Sequence, residues 1–383
     1  MIGAKDVWAN LEEELASLET RPEACLRRSR LTEARADCHS CSAVCPLGAI
    51  DLEPLSLDQD ACDGCGACAE VCPSSALEHA SSFRRDLFVA LTRVERAKIF
   101  RIACPLAEDS RDTVRVELPC VAGMPWEVPV VALLRGASTV EVVTGCCERC
   151  SRQALEPQVR TTIDAASRAA EVLKLGAVTR REPGEVPLEE RDPSRDRRMS
   201  RRGLWDGLLR GGKHVMERVG AQGVERLARV MDPRAGTDAT RDGLWLRGLL
   251  TKALPRHGEA VEPIELPRVG RLSVDASACA PCPLCAAACP SQALLVKLGM
   301  RGHQELSVEP ERCTACGACV VACPESAVTL EPLADLSGWG RRRILVKRRP
   351  GACLHCGESA LSIELPYCAS CYREGHANGH LPR

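Results

Sequence analysis

Aromatic side chains are scarce in this sequence: Phe, Tyr and Trp together make up 3% of 383 residues. Net charge is absent too, because 51 Lys and Arg face 52 Asp and Glu for a formal −1. Such a balance argues neither for nor against nucleic acid, and none is expected as a partner. No stretch approaches the roughly 18 consecutive apolar residues that a bilayer-spanning helix needs. The opening "MIGAKDVWANLEEELASLET" lacks the basic, apolar and small-residue order of a secretory leader and reads as an acidic amphipathic helix. A cytoplasmic chain is the expectation. There is also no Walker loop, no dinucleotide fingerprint after a strand, no flavin site and no arguable Ser-His-Asp arrangement. Substrate chemistry of the chain's own is therefore not expected.

Cysteine is abundant instead, at 25 residues. Such a count points either to a secreted disulfide framework or to a metal protein. The cysteines are bunched at two- and three-residue gaps, which suits a metal or cluster and not loop-closing bridges. They fall in blocks at 25–72, 104–150, 279–323 and 353–371. The length allows two or three domains with real cores. Residues 182–202 are charged, Pro-bearing and almost without apolar side chains, so they read as an exposed linker. Two apolar-basic segments follow, each opening with Gly-Leu-Trp: Leu204, Trp205, Leu208 and Leu209, then Leu244, Trp245, Leu249 and Leu250. They fit either packing on the protein or a partner, or contact with a membrane surface through 203–219 and 243–254.

Residues 279–290, "CAPCPLCAAACP", follow C-x2-C-x2-C-x3-C-P, and residues 313–324, "CTACGACVVACP", repeat the pattern. A cubane needs four thiolates around it. Three come from one tight turn, and the cysteine before the Pro ligates the other cluster of the pair. One cluster is then expected on Cys279, Cys282, Cys285 and Cys323, and its partner on Cys313, Cys316, Cys319 and Cys289. This region resembles a bacterial two-cluster ferredoxin domain. Paired zinc sites would leave the third cysteine and the Pro of each half unexplained.

The first block resembles the same domain with one departure. "CDGCGACAEVCP" at 62–73 is complete, whereas "RADCHSCSAVCP" at 35–46 has Arg35 where the motif wants cysteine. One cluster is expected on Cys62, Cys65, Cys68 and Cys45. The other takes Cys38, Cys41 and Cys72 and lacks a ligand. Cys25, 13 residues upstream of Cys38, is the unassigned cysteine of this part, and a loop of that length folds back easily. Its spacing looks like that of some accessory ferredoxins of respiratory reductases. The alternative is a three-iron cluster, with Cys25 as a buried apolar thiol.

Between these blocks, "AKIFRIAC", "TVRVELPC" and "STVEVVTGC" read as buried strands ending at cysteines, while "VPVVALLRGA" and residues 156–175 read as helices. The alternation predicts a small α/β domain with parallel strands, its cysteines gathered at the strands' carboxyl ends. The stretch from "VELPC" to "TGCCERC", within residues 97–176, resembles the delta subunit of methyl-viologen-reducing hydrogenase, the hydrogenase iron-sulfur subunit. The resemblance implies one further iron-sulfur cluster, 2Fe-2S or 4Fe-4S. It also implies electron passage between a hydrogenase or formate dehydrogenase and a heterodisulfide-reductase-like partner. Cys120, Cys146 and Cys150 match that family's positions, and Cys104 replaces an upstream pair. The Cys146–Cys150 gap is one residue shorter than the family's and the usual His-Tyr is missing, so Cys147 is an alternative to Cys146. A domain that has lost its cluster is the other alternative.

The tail, "CLHCGESALSIELPYCASC", carries two C-x2-C knuckles that look like a zinc ribbon on Cys353, Cys356, Cys368 and Cys371. Rubredoxin-type iron would use the same geometry. His355 and His39 read as bystanders, and "GRRRILVKRRP" at 340–350 as a solvated strand or a dock for an acidic partner. The expected fold is a multidomain α+β and α/β chain. Two ferredoxin-like domains (1–96 and 263–345) flank a delta-subunit-like α/β domain (97–180) and a linker (181–262), and a zinc-ribbon-like tail (346–383) ends it. Expected cofactors are four 4Fe-4S clusters, the further cluster and one zinc or rubredoxin-type iron. The expected role is relaying single electrons, in the cytoplasm or peripheral to the inner face of the membrane. A zinc-bearing scaffold or assembly protein for an oxidoreductase is the rival, and a catalytic central cluster a third reading.

Overall fold

A computed structural model describes residues 18–28, 37–94, 98–105, 107, 114–181, 244–254, 262–279, 282–298, 304–348, 353, 355–357, 367 and 370–371. The chain divides into two compact units. The first comprises Met1–Pro22, His39–Cys72 and Ala76–Ala253, and the second Glu23–Cys38, Pro73–Ser75 and Leu254–Arg383.

The first unit begins with short elements: β1 (Leu18–Thr20), α1 (Ser40–Val44), β2 (Ile50–Leu52), β3 (Leu55–Leu57), α2 (Ala67–Val71) and β4 (Leu77–His79). β2 and β3 pair as an antiparallel hairpin, and β1 pairs antiparallel with β4. Helix α3 (Ser81–Thr92) follows. Arg84, on α3, meets Glu78 of β4 at 3.0 Å and Glu19 of β1 at 3.3 Å, so these charges enter the interior as partners. Residues 18–20 were expected to end a helix and are a strand instead. Leu18 is buried, and pairing with Leu77–His79 satisfies the backbone that a helix would have satisfied internally.

A four-stranded parallel sheet makes the rest of the unit, from β5 (Ile99–Ala103), β6 (Val114–Glu117), β7 (Thr139–Val143) and β8 (Ala177–Arg181) in the order β6-β5-β7-β8. Phe100, Ile102, Val140 and Val142 are fully buried, as the near-continuous apolar runs of β5 and β7 require of strands covered on both faces. The covering helices are α4 (Glu127–Leu134), α5 (Glu156–Val172) and α6 (Trp245–Ala253). In α5, Val159, Ile163, Ala166 and Ala170 form one apolar stripe. α4 is apolar nearly all round, so the sheet alone cannot cover it, and α5 and α6 both pack on it.

This packing decides part of the expectation for 243–254. Trp245, Leu246 and Leu250 are buried in the first unit, Trp245 stands edge-on to Phe88 at 6.1 Å, and Arg247 pairs with buried Glu127 at 2.8 Å. The apolar side chains that a membrane surface would need are turned into the protein. Residues 203–219, the other such segment, lie outside the described residues. Among the described residues no helix is long and apolar enough to cross a membrane.

The second unit repeats the strand scheme with β9 (Arg271–Val274), α7 (Leu284–Ala287), β10 (Leu294–Leu298), β11 (Gln304–Val308), α8 (Ala318–Val321), β12 (Val328–Glu331) and β13 (Arg343–Arg348). The outer strands β9 and β12 pair antiparallel, as do β10 and β11, and β13 adds to β11. β13 therefore runs across the boundary expected at residue 345, with Val346 in the core and Ile344 half exposed. Leu272, Leu294, Leu306 and Val328 share one core with Cys279, Cys285, Cys313 and Cys319. Leu26, from a 3-10 turn at Leu26–Arg28, packs on Ala288 and Ala318 beside Cys316.

Candidate metal centres

Four short stretches of the form C-P-x-x-A end the cysteine motifs, at 45–49, 72–76, 289–293 and 323–327. They share one local structure. The residue before the Ala is left-handed in each: Gly48 (φ 62), Ser75 (φ 56), Gln292 (φ 55) and Ser326 (φ 49). That turn brings the Ala N–H back to the cysteine. Ala49 donates to Cys45 Sγ at 3.4 Å, Ala76 to Cys72 at 3.2 Å, Ala293 to Cys289 at 3.2 Å and Ala327 to Cys323 at 3.3 Å. An N–H aimed at sulfur favours the thiolate, the form that binds metal. The first cysteines of two motifs are presented by Asp turns. Asp58 Oδ1 accepts N–H groups of Asp60 and Ala61 while its carbonyl accepts from Cys62 N–H, and Asp275 does the same for Ser277, Ala278 and Cys279. The Ser277 hydroxyl and these N–H groups hold the Asp275 carboxyl below its ordinary range.

The thiols are gathered across motifs. Burial pushes the Cys285 thiol up to about 11, neighbouring Cys282 and Cys279 add to the rise, the Ala286 N–H opposes it, and Cys323 raises it again. Burial pushes Cys319 up further, helped by Cys316, Cys313, Cys289 and Cys285. In the first unit burial raises Cys68, helped by Cys65, Cys62, Cys45 and Cys41. In the motifs at 62–73, 279–290 and 313–324 the first three cysteines thus stand with the fourth cysteine of the paired motif. Four buried or half-buried sulfurs that repel one another as thiolates need a polycationic core between them, and an all-thiolate donor set at this spacing fits a 4Fe-4S cubane.

Cys25 and Cys38 fall in the second unit, where Cys25 is buried and Arg27 Nη1 donates to the Cys38 carbonyl at 3.4 Å. Cys41 and Cys72, both buried, fall in the first.

At the sheet, Cys104 follows β5, Cys120 follows β6, and Cys146, Cys147 and Cys150 follow β7, so all five stand at the carboxyl ends of three adjacent strands. Gly145 N–H donates to Cys104 Sγ at 3.1 Å and Arg152 N–H to Cys150 Sγ at 3.4 Å. Burial pushes Cys147 up to about 11; Arg180 opposes this, and Cys104, Cys120 and Cys150 reinforce it. Burial also raises Cys120, opposed by the Ala122 N–H and Arg152 and reinforced by Cys150 and Cys104. The set brought together is therefore Cys104, Cys120, Cys147 and Cys150, while Cys146 is exposed. A four-sulfur set again fits an iron-sulfur cluster. Arg152 and Arg180, the cations at this set, escaped the reading of the sequence. Arg152 had a signal, two residues after Cys150, whereas Arg180 arrives from β8 and had none.

In the tail, the sulfurs of Cys353, Cys356 and Cys371 lie within 4.8 Å of one another. Cys368 lies outside the described residues. His355 is no simple bystander there, since its Nδ1 stands 3.6 Å from Cys371 Sγ.

Comparison with known families finds 4Fe-4S domains over these regions. A 4Fe-4S dicluster domain matches residues 271–325, a 4Fe-4S binding domain matches residues 55–78, and another 4Fe-4S dicluster domain matches residues 312–372, which takes in the tail. No curated protein matches the chain. Ferredoxin-type 4Fe-4S domains on either side of the parallel sheet in sequence support an iron-sulfur protein and fit an electron-transfer role.

Proposed function

We propose that the chain is a relay subunit, carrying single electrons between a catalytic oxidoreductase of hydrogenase or formate dehydrogenase type and a heterodisulfide-reductase-like partner. The observation that carries this reading is the thiol set Cys104, Cys120, Cys147 and Cys150 at the end of the parallel sheet, in one unit with a ferredoxin motif. A ferredoxin alone needs no such domain. The likeness of residues 97–176 to the hydrogenase delta subunit supports the choice of partners.

Bound iron-sulfur clusters would supply one-electron storage. The chain's own residues would hold them and set their potentials. Four 4Fe-4S clusters would use Cys62, Cys65, Cys68 and Cys45; Cys25, Cys38, Cys41 and Cys72; Cys279, Cys282, Cys285 and Cys323; and Cys313, Cys316, Cys319 and Cys289. A fifth would use the central set. The C-P-x-x-A N–H groups donate to sulfur and so favour the reduced, more negative state. Burial of the cysteines favours the less charged state and keeps water out. Cys353, Cys356, Cys368 and Cys371 would hold zinc or a single iron. The match that runs through residue 372 favours iron.

Two measurements test this. Chain purified without oxygen should hold about 16 irons from four cubanes, plus two to four from the central set and about one more from an iron-loaded tail. Mostly zinc in place of iron would instead support a scaffold that assembles or docks an oxidoreductase. A tagged pull-down from the native host should bring down a hydrogenase, formate dehydrogenase or heterodisulfide-reductase-like subunit in fixed ratio. Isolation with membrane quinone proteins alone would refute the choice of partners.

A further inference from the structure

In the first unit, the central thiol set and a ferredoxin set meet through their backbones. Cys120 opens the 3-10 turn Val121–Gly123, and Gly123 lies on the Cys65–Gly66 peptide. A Cβ on Gly123 would stand 2.2 Å from the Cys65 carbonyl oxygen and 2.8 Å from Gly66 Cα, so no side chain fits between them. One side chain closes the same junction. Arg152 donates from Nε to Asp63 Oδ2 and from Nη1 to the Pro119 carbonyl, and its own N–H donates to Cys150 Sγ at 3.4 Å. Asp63 in turn accepts the Cys65 N–H at 3.1 Å on its other oxygen, and Pro119 immediately precedes Cys120. The pair is largely shielded, with Arg152 22% and Asp63 29% exposed. One guanidinium thus reaches the surroundings of Cys65 and Cys120, while the backbone of the same residue reaches Cys150.

We propose that Arg152 is a positioning residue shared by the two thiol sets, which holds them against each other and shifts the reduction potentials of both together. The proposal rests on reading both sets as cluster sites. A positive charge at the junction of the two sets stabilises the more negative, reduced state on both sides, and partial burial keeps solvent from screening it. Removing it also leaves the Asp63 carboxylate unbalanced, which acts in the same direction.

The test uses the full chain, purified without oxygen as wild type, Arg152→Gln, Arg152→Lys and Asp63→Asn. Iron and sulfide are measured first, and then a redox titration is followed by electron paramagnetic resonance. In Arg152→Gln the reduction equilibrium constants of both the central centre and the Cys62, Cys65, Cys68 and Cys45 centre should fall about tenfold, or about 59 mV for a one-electron couple, with iron unchanged. Arg152→Lys should restore most of the shift, and Asp63→Asn should move both centres the opposite way. A shift confined to one centre, or none at unchanged iron, overturns the proposal. If Arg152→Gln loses iron, Asp63→Asn decides, and unmoved potentials there overturn it equally. Wild-type protein without iron at the central set would sink the cluster reading itself, a separate failure visible before any titration.

Discussion

Replacing Gly123 by Ala adds a single carbon where two polypeptide segments touch. Gly123 is not in the left-handed region, so Ala fits its backbone and the whole penalty is one of space. The new Cβ would stand 2.2 Å from the Cys65 carbonyl oxygen. Carbon–oxygen contacts of the closest kind are about 3.3 Å, so the segments must part by roughly 1 Å. Neither side can yield by turning a side chain, because the atoms met are backbone of Cys65 and Gly66. Overpacking of this kind costs about 1–3 kcal/mol, and the lower chain entropy of Ala in the unfolded state offsets about 0.4–1 kcal/mol of it. A net loss of about 1–2 kcal/mol is expected in denaturant unfolding, together with weaker magnetic interaction between the two neighbouring centres in the reduced protein. Gly248→Ala is the control. Nothing lies within 4 Å of its added carbon inside α6, and it should gain about 0.5–1 kcal/mol. If Gly123→Ala unfolds within 0.5 kcal/mol of wild type (about the error of such comparisons) and the interaction is unchanged, the closed backbone junction is refuted.

Three other perturbations separate further parts of the structure. Cys147→Ser should remove the iron of the central set while Cys146→Ser keeps it; equal loss from both would show that the exposed thiol is a ligand. Arg247→Ala leaves Glu127 buried without its partner and should cost about 3–5 kcal/mol, read as faster hydrogen exchange in α4 and α6. A cost below about 1 kcal/mol would mean that α6 is loosely docked. Asp275 has a folded-state pKa below its ordinary 3.8, so its turn contributes above that pH and is lost as pH falls through the lower folded value. Asp275→Ala should therefore loosen the Cys279 loop at neutral pH and speed iron release to a chelator, and an unchanged rate would exclude a role for the turn.

Much was legible in the sequence because cluster chemistry writes itself into spacing. A cubane's ligands must curl around a small object, so two-residue gaps and a Pro after the fourth cysteine survive in the linear text. The crossing of Cys323 to Cys285 and of Cys289 to Cys319 was readable for the same reason, and the structure gathers those thiols. The runs at 99–103 and 139–143 announced buried strands by apolar residues that Arg101 and Glu141 interrupt, and the two charges pair with each other at 2.7 Å. Local pattern failed where a partner far along the chain decides the outcome. Leu18–Thr20 looked helical beside acidic neighbours, yet it is a strand because Leu77–His79 is there to receive it. The Trp245 segment read equally as packing on the protein, on a partner or on a membrane surface, and it covers α4, whose own apolar surface exceeds what the sheet can bury.

By itself the sequence determined which cysteines form motifs and where the parallel strands lie, and it set the expectation for how the ferredoxin quartets cross, since each depends on spacing or on one segment's composition. Tertiary structure alone set Cys147 near Cys104, Cys120 and Cys150 and left Cys146 exposed, because the two neighbours stand on opposite sides of one short turn. It alone brought Asp63 and Arg152, 89 residues apart, to one junction. Charge pairing across such a separation leaves no periodic trace in a single chain, and only the packing of Gly123 on Cys65 makes the meeting unavoidable.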